Sequence, residues 1–319
     1  MGLLHASILS AIPDVEIAAL IDKSTLMTKL LNKVFSSRSV KVINEVENLS
    51  GLDLDAVYIT TPISSHSLIA KTLYSKGIAR NIFVEKTLAS DYEHSRELCD
   101  FARKSRGVNM VGYMKRFSVV FKKAKELLTE EVLGEPRSFR AYAYSSDFIG
   151  LTKESKSSAS RGGALKDLGC HVTDLALWLL GDLKVCDLIS STETEGGTET
   201  SISFSVKNST GLVGRFDISQ SMANYRMPEF GLLVYCSKGR LEVNDDRLLL
   251  TQDNGDSTRW YRQDLDDHVA FFLGEAEYFR ENQHFVNSLR NNQKCEPSFE
   301  TASKVDHIID QVKRRGFEK

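Results

Sequence analysis

Short apolar runs alternate with longer amphipathic segments over the first third of the chain. Residues 3–12 read as a helix closed by Pro13-Asp14, and residues 15–21 as an apolar strand ending at Asp22. Ser24 can cap a helix to about residue 35, and strands follow at 40–43, 55–60, 81–84 and 108–112, with helices between them at 64–76, ended by Gly77, and at 91–105. Strands separated by helices at this spacing imply a parallel sheet covered on both faces, with the loops after the strands gathered along one edge. After a helix at 117–131 and Gly134-Glu135-Pro136 the period changes to two, at 138–144, 185–191, 201–206, 212–219, 232–236 and 240–243. Turns such as Glu195-Gly196-Gly197 and Asn208-Ser209-Thr210-Gly211 separate these segments, and helices return at 268–290 and 299–315. The expected fold class is α/β: a Rossmann-type parallel sheet in 1–116 and an α+β domain with a mainly antiparallel sheet in 117–319.

Composition narrows the partners. A length of 319 residues suits two domains, and a formal charge of −2 with well mixed acids and bases gives no support to a nucleic-acid surface or a polybasic membrane anchor. A small molecule is the expected ligand. Five cysteines, Cys99, Cys170, Cys186, Cys236 and Cys295, are scattered without a C-x-x-C pair, which argues against a zinc site or a disulfide framework and for reduced thiols in the cytoplasm. The N-terminal segment has no basic leader and His5 breaks its apolar run, and no run approaches the roughly 18 apolar residues of a membrane span.

Candidate chemistry concentrates in the stretch from Gly162 to Asp174. A glycine pair precedes a helix on which Asp167, His171 and Asp174 share one stripe at about 100° per residue, while Leu165, Leu168, Val172, Leu175 and Leu179 share the adjacent one. An imidazole flanked by carboxylates can exchange protons near neutral pH; a satisfied histidine at the edge of a core is the other reading of the same pattern. The expected parallel edge carries further polar groups. Asp22 stands where a dinucleotide fold places an acid on the adenosine ribose, with Gly2 about twenty residues before it. Thr61-Pro62 with His66, and Glu85-Lys86-Thr87, follow the next two strands, and a lysine there can neutralise a substrate oxygen or form a solvated ion pair.

In order and spacing, Gly2 to Asp22, Thr61-Pro62 with His66, Glu85-Lys86-Thr87, the hexapeptide from Gly112 to Phe117, and Gly162-Gly163-x3-Asp167-x-Gly169-x-His171-x2-Asp174 resemble the Gfo/Idh/MocA oxidoreductases. The resemblance implies a Rossmann domain for NAD, with NADP as the other possibility, and a second domain for a sugar, cyclitol or related polyol, in a homodimer or homotetramer. It implies catalytic roles for Lys86, Asp167 and His171, and a cofactor site formed by Gly2, Asp22, Thr61, Pro62, His66, Glu85, Lys86 and Arg116, with no metal required. Thr87 stands where the family's Glu-Lys-Pro motif has proline. The implied reaction is hydride transfer between nicotinamide and a carbinol carbon, with His171 as general base, Lys86 on the hydroxyl oxygen and Asp167 orienting His171 or binding a neighbouring hydroxyl.

Two other expectations follow. If Gly2 is the last glycine of the phosphate fingerprint, the first Rossmann strand is missing from this sequence, and the form at hand would bind its cofactor weakly or the natural protein would start upstream. The competing functions are a non-catalytic dinucleotide- or sugar-sensing protein of the same fold and a cofactor-dependent glycosidase.

Overall fold

The computed structural model describes residues 1–35, 40–147, 162–193 and 197–317. The chain divides into two compact units, Met1–Gly112 with Val269–Ser303, and Tyr113–His268 with Lys304–Lys319.

The first unit runs α1 (Gly2–Leu9), β1 (Ala19–Ile21), α2 (Thr25–Val34), β2 (Lys41–Ile43), β3 (Val57–Ile59), α3 (Ile63–Ser75), β4 (Ile82–Glu85), α4 (Tyr92–Ser105) and β5 (Asn109–Gly112). All five strands pair in parallel but in two sheets, β1-β2 and β3-β4-β5. The break between β1 and β3 falls where a Rossmann sheet has its central strand. Strand β4 lies between β3 and β5, and Ile82, Phe83 and Val84 are fully buried, as an apolar run covered on both faces must be. Local chemistry sets the helix ends: Ser24 Oγ accepts the Met27 N–H at 3.3 Å, and Asp91 Oδ1 accepts the His94 N–H at 3.0 Å.

Two expectations about this unit change. The strand expected over 15–21 pairs only at Ala19–Ile21, because Val15 and Ile17 pack against Ile8, Leu9 and Ile12 instead of entering the sheet. The second is the domain division. Helix α7 (Ala276–Arg290) puts Phe279 and Val286 on the same α1 cluster, so 269–303 belongs to the first unit and not to a continuous 117–319 domain.

In the second unit a 3₁₀ turn, Met114–Phe117, leads to α5 (Val119–Thr129) and β6 (Pro136–Tyr144). A π-helical turn, Leu165–Gly169, then runs into α6 (Cys170–Leu180). Strands β7 (Lys184–Glu193), β8 (Glu199–Lys207), β9 (Val213–Ser219), β10 (Glu229–Cys236), β11 (Gly239–Asn244), β12 (Arg247–Gln252) and β13 (Ser257–Tyr261) complete an eight-stranded sheet of order β13-β12-β11-β10-β6-β9-β8-β7. Every pairing is antiparallel except β6 with β9. On β6, Phe139, Ala141 and Ala143 point into the core, where Phe139 and Phe204 meet the ring of Phe216 at 5.7 and 4.7 Å. Helix α8 (Phe299–Phe317) ends the fold. No described helix is long and apolar enough to cross a membrane, and all five cysteines are free.

Candidate active site

The polar groups of the first unit are fixed by its strand-end turns. Gly2 opens α1 beside the end of β3, where a Cβ would lie 3.0 Å from Thr60 Oγ1. The next turn runs through Thr61 and Pro62 into α3, and His66, fully buried, bridges it to its neighbour: Nε2 is 2.8 Å from Thr61 O and Nδ1 is 2.8 Å from Thr87 O. Burial lowers the pKa of His66, opposed by these carbonyl bonds and by the charge of Glu85. The ring thus ties the Thr61 turn to the Lys86–Thr87 turn, and its place in the site is to hold that backbone, not to present an open nitrogen to a ligand.

Lys86 follows β4, half-buried, and its peptide bond to Thr87 is cis. Glu85 is buried, with Oε2 accepting the Lys86 N–H at 3.1 Å and Oε1 lying 2.7 Å from His5 Nε2. Both oxygens are engaged inside the protein, so Glu85 shapes the turn and the expected direct cofactor contact does not follow from its placement. Asp22 lies just after β1, where Oδ1 accepts the Ser24 N–H at 2.7 Å; this is a local turn bond on a separate sheet from Lys86.

In the second unit Gly162 and Gly163 adopt φ of +82° and +83°, and a Cβ on Gly163 would lie 2.4 Å from the Glu199 carboxylate. This is the physical reason for the glycine pair. The π turn that follows carries Asp167, and α6 carries His171 and Asp174. The π turn winds wider than the α-helix it enters, whereas His171 and Asp174 stand three residues apart on regular α6. Asp167, half-buried, accepts a bond from Gln220 Nε2 at 2.9 Å, whereas Asp174 turns away to Arg116. Arg116 Nε reaches Asp174 Oδ2 at 2.7 Å and Nη2 reaches Oδ1 at 2.6 Å; both residues are buried, and the guanidinium carbon sits 5.7 Å from the Trp178 ring centroid. Arg116, expected at the cofactor, is therefore committed to an internal ion pair, with Asp174 as its counterion.

His171 is buried between two rings, with Tyr113 at 6.2 Å and Phe230 at 5.2 Å between centroids, both edge-on. The opposite claim on Phe230 comes from Lys115, whose ammonium lies 5.1 Å from that ring and 2.8 Å from Asp245 Oδ1. Gln220, Lys115 and Asp245 were not expected from the sequence. Gln220 sits one residue beyond β9 and 53 positions from its partner Asp167, so no local pattern marks it.

Residues 1–113 match the family model described as an oxidoreductase family with an NAD-binding Rossmann fold, and residues 121–242 match the GFO/IDH/MocA C-terminal domain. The chain belongs to the GFO/IDH/MocA oxidoreductase family. Levoglucosan dehydrogenase of Pseudarthrobacter phenanthrenivorans is 30% identical over 145 residues, 44% of this chain and 36% of that protein. D-glucoside 3-dehydrogenase of Escherichia coli is 28% identical over 182 residues, covering 56% of this chain and 50% of that one. The chain thus spans half or less of the length of these curated relatives, while with myo-inositol 2-dehydrogenase of Thermotoga maritima it aligns at 23% identity over 92% of itself and 86% of the relative. Among solved structures, an Agrobacterium radiobacter oxidoreductase in complex with NAD+, L-tartaric acid and magnesium superposes with a TM-score of 0.84 at 16% identity, covering 99% of this chain and 93% of that one. That likeness is one of fold.

Proposed function

We propose that the protein is an NAD-dependent dehydrogenase that oxidises a CH–OH group of a sugar, cyclitol or related polyol, or reduces the matching ketone. The observation that carries this reading is the placement of Lys86 in a turn held on both sides, at Glu85 by His5 and at Thr87 by His66. A second unit supplies a buried imidazole, His171, and a carboxylate, Asp167, from a glycine-opened π turn.

The chain offers a cradle for a dinucleotide. The first intrahelical bond of α1 runs from the His5 N–H to Met1 O at 3.1 Å, so the N–H groups of Gly2, Leu3 and Leu4 have no acceptor within the helix. Such a helix start favours a phosphate, and the small residue at Gly2 keeps it open beside Thr60. Asp22 would bond the ribose hydroxyls, and Thr61 and Pro62, both exposed, would line the approach. When bound, the nicotinamide supplies a two-electron hydride acceptor.

In the oxidation direction a ring nitrogen of His171 takes the hydroxyl proton, and the Lys86 ammonium stabilises the negative charge growing on the same oxygen. Asp167, oriented by Gln220, positions His171 or holds a neighbouring hydroxyl. The aromatic walls around His171 exclude water and strengthen these interactions. A spectrophotometric screen of polyols, aldoses, sugar acids and glycosides against NAD+ and NADP+ tests the proposal. NADH production with at least one polyol or sugar is expected; none across the panel, from protein that binds NADH, would favour a sensing role.

A further inference from the structure

Behind the Lys86 turn the first unit contains a buried chain of polar groups whose protons the mechanism above leaves unassigned. It starts on α7, where Asn282 Nδ2 donates to Tyr278 O at 2.7 Å, which fixes the amide so that Oδ1 faces His5. His5 Nδ1 lies 3.1 Å from that oxygen, and since the amide oxygen only accepts, Nδ1 carries a hydrogen. The other ring nitrogen, Nε2, is 2.7 Å from Glu85 Oε1. With Nδ1 already donating, a bond of this length requires one further proton between His5 and Glu85: an imidazolium facing a carboxylate, or a neutral ring facing a carboxylic acid. The remaining oxygen, Glu85 Oε2, accepts the backbone N–H of Lys86 at 3.1 Å.

All three residues are almost inaccessible, at 1% for His5, 7% for Glu85 and 0% for Asn282. The rings of Phe83, Tyr58 and Tyr278 enclose the imidazole at centroid distances of 5.2, 5.8 and 6.2 Å. A polar chain in such a setting is stable only when each group keeps its partner, so its geometry is tightly determined.

We propose that His5 is a positioning residue for Lys86, acting through the proton it shares with Glu85. The inference rests on the reading of Lys86 as the group that polarises the substrate oxygen. His5 touches no reacting atom. It holds the Glu85 carboxylate in the one orientation in which Oε2 meets the Lys86 N–H, and α1 and α7 thereby set where the lysine leaves the end of β4. Without the shared proton, the Nε2 lone pair would face a carboxylate oxygen, Glu85 would turn, and the Lys86 backbone would lose its acceptor. A lysine misplaced by about 1 Å costs up to a hundredfold in rate while the cofactor contacts remain.

The test uses the 319-residue chain in two arms. In the first, ¹⁵N-histidine spectra of the wild type are compared with Glu85→Gln and His5→Phe. In the wild type the His5 signals, identified by their loss in His5→Phe, should show either both ring nitrogens protonated or a bare Nε2 beside a protonated Glu85 carboxyl, with a low-field proton resonance that vanishes in His5→Phe and moves upfield in Glu85→Gln. A His5 ring with one bare nitrogen, in a wild type whose Glu85 carboxyl is ionised, overturns the shared proton. In the second, a double-mutant cycle on kcat joins His5→Phe with Lys86→Ala, using whichever of levoglucosan or myo-inositol is turned over with NAD+. His5→Phe should lower kcat roughly ten- to a hundredfold with little change in NADH affinity, and should have no further effect once Lys86 is alanine. Equal losses in both backgrounds would make His5 merely structural. Full turnover in Lys86→Ala alone would instead overturn the reading of Lys86, and the spectroscopic arm would still decide the proton.

Discussion

Arg116 and Asp174 form a buried bidentate pair, 2.7 and 2.6 Å across its two bonds, between the 3₁₀ turn after β5 and helix α6. Removing one member of such a pair strands the other charge in the interior, a cost of about 3–5 kcal/mol, whereas replacing both by apolar residues of similar volume is often near neutral. Asp174→Ala and Arg116→Ala should each cut stability to urea by that amount, and Arg116→Met with Asp174→Leu should recover most of it. Single variants as stable as the wild type would show that the pair does not anchor α6.

The stability of the first unit should fall as the solution is acidified through the histidine range. Burial holds the pKa of His66 below its ordinary value of 6.5, so the unfolded chain takes up the proton first. The stabilisation is fully present above that value and is lost as pH falls through the folded pKa. His307, also lowered by burial, contributes in the same direction in the second unit. Urea midpoints measured between about pH 5 and pH 7.5 should rise with pH, and His66→Gln should flatten the slope. An unchanged slope in that variant would remove His66 as the cause.

Gln220 is fully buried and holds Asp167 from the end of β9. Gln220→Leu keeps the volume and removes the donor, so kcat should fall about tenfold, the equivalent of roughly 1.4 kcal/mol, with NADH affinity unchanged. A variant with full turnover would leave Asp167 positioned by other contacts.

The proposed contact of Asp22 with the adenosine ribose bears on cofactor choice. Its carboxylate opposes a 2′-phosphate, so NADH should bind more tightly than NADPH, and Asp22→Ser should narrow the difference. Fluorescence titration of both cofactors reads this directly; the adjacent Lys23 is the residue to examine if NADPH wins.

Much of this was legible in one dimension. The run from β3 through α3, β4 and α4 to β5 announces itself because the strands are short, mainly apolar runs and α4 carries its own cap, Asp91. Strands β12 and β13 were missed. Leu248-Leu249-Leu250 breaks the two-residue alternation, and Ser257–Tyr261 is largely exposed at a sheet edge. Within the helical stretch from Leu165, spacing alone placed Asp167, His171 and Asp174 on one stripe. The π turn and the partner of Asp174, 58 residues away, were not legible in that spacing. His5 and Glu85, 80 positions apart, illustrate the same limit: buried polar pairs are made by tertiary structure and leave no local periodicity.

Direct transfer of hydrogen from substrate to nicotinamide tests the central claim most closely. A panel of polyols and sugars carrying deuterium on the carbinol carbons is incubated with NAD+, and the NADH formed is analysed by mass spectrometry. The account predicts NADH carrying one deuterium in place of hydrogen from at least one substrate, with the rate of its formation reduced at least about a hundredfold in both Lys86→Ala and His171→Ala while each variant still binds NADH. Deuterium-free NADH from every substrate, or undiminished transfer in both variants, would contradict it.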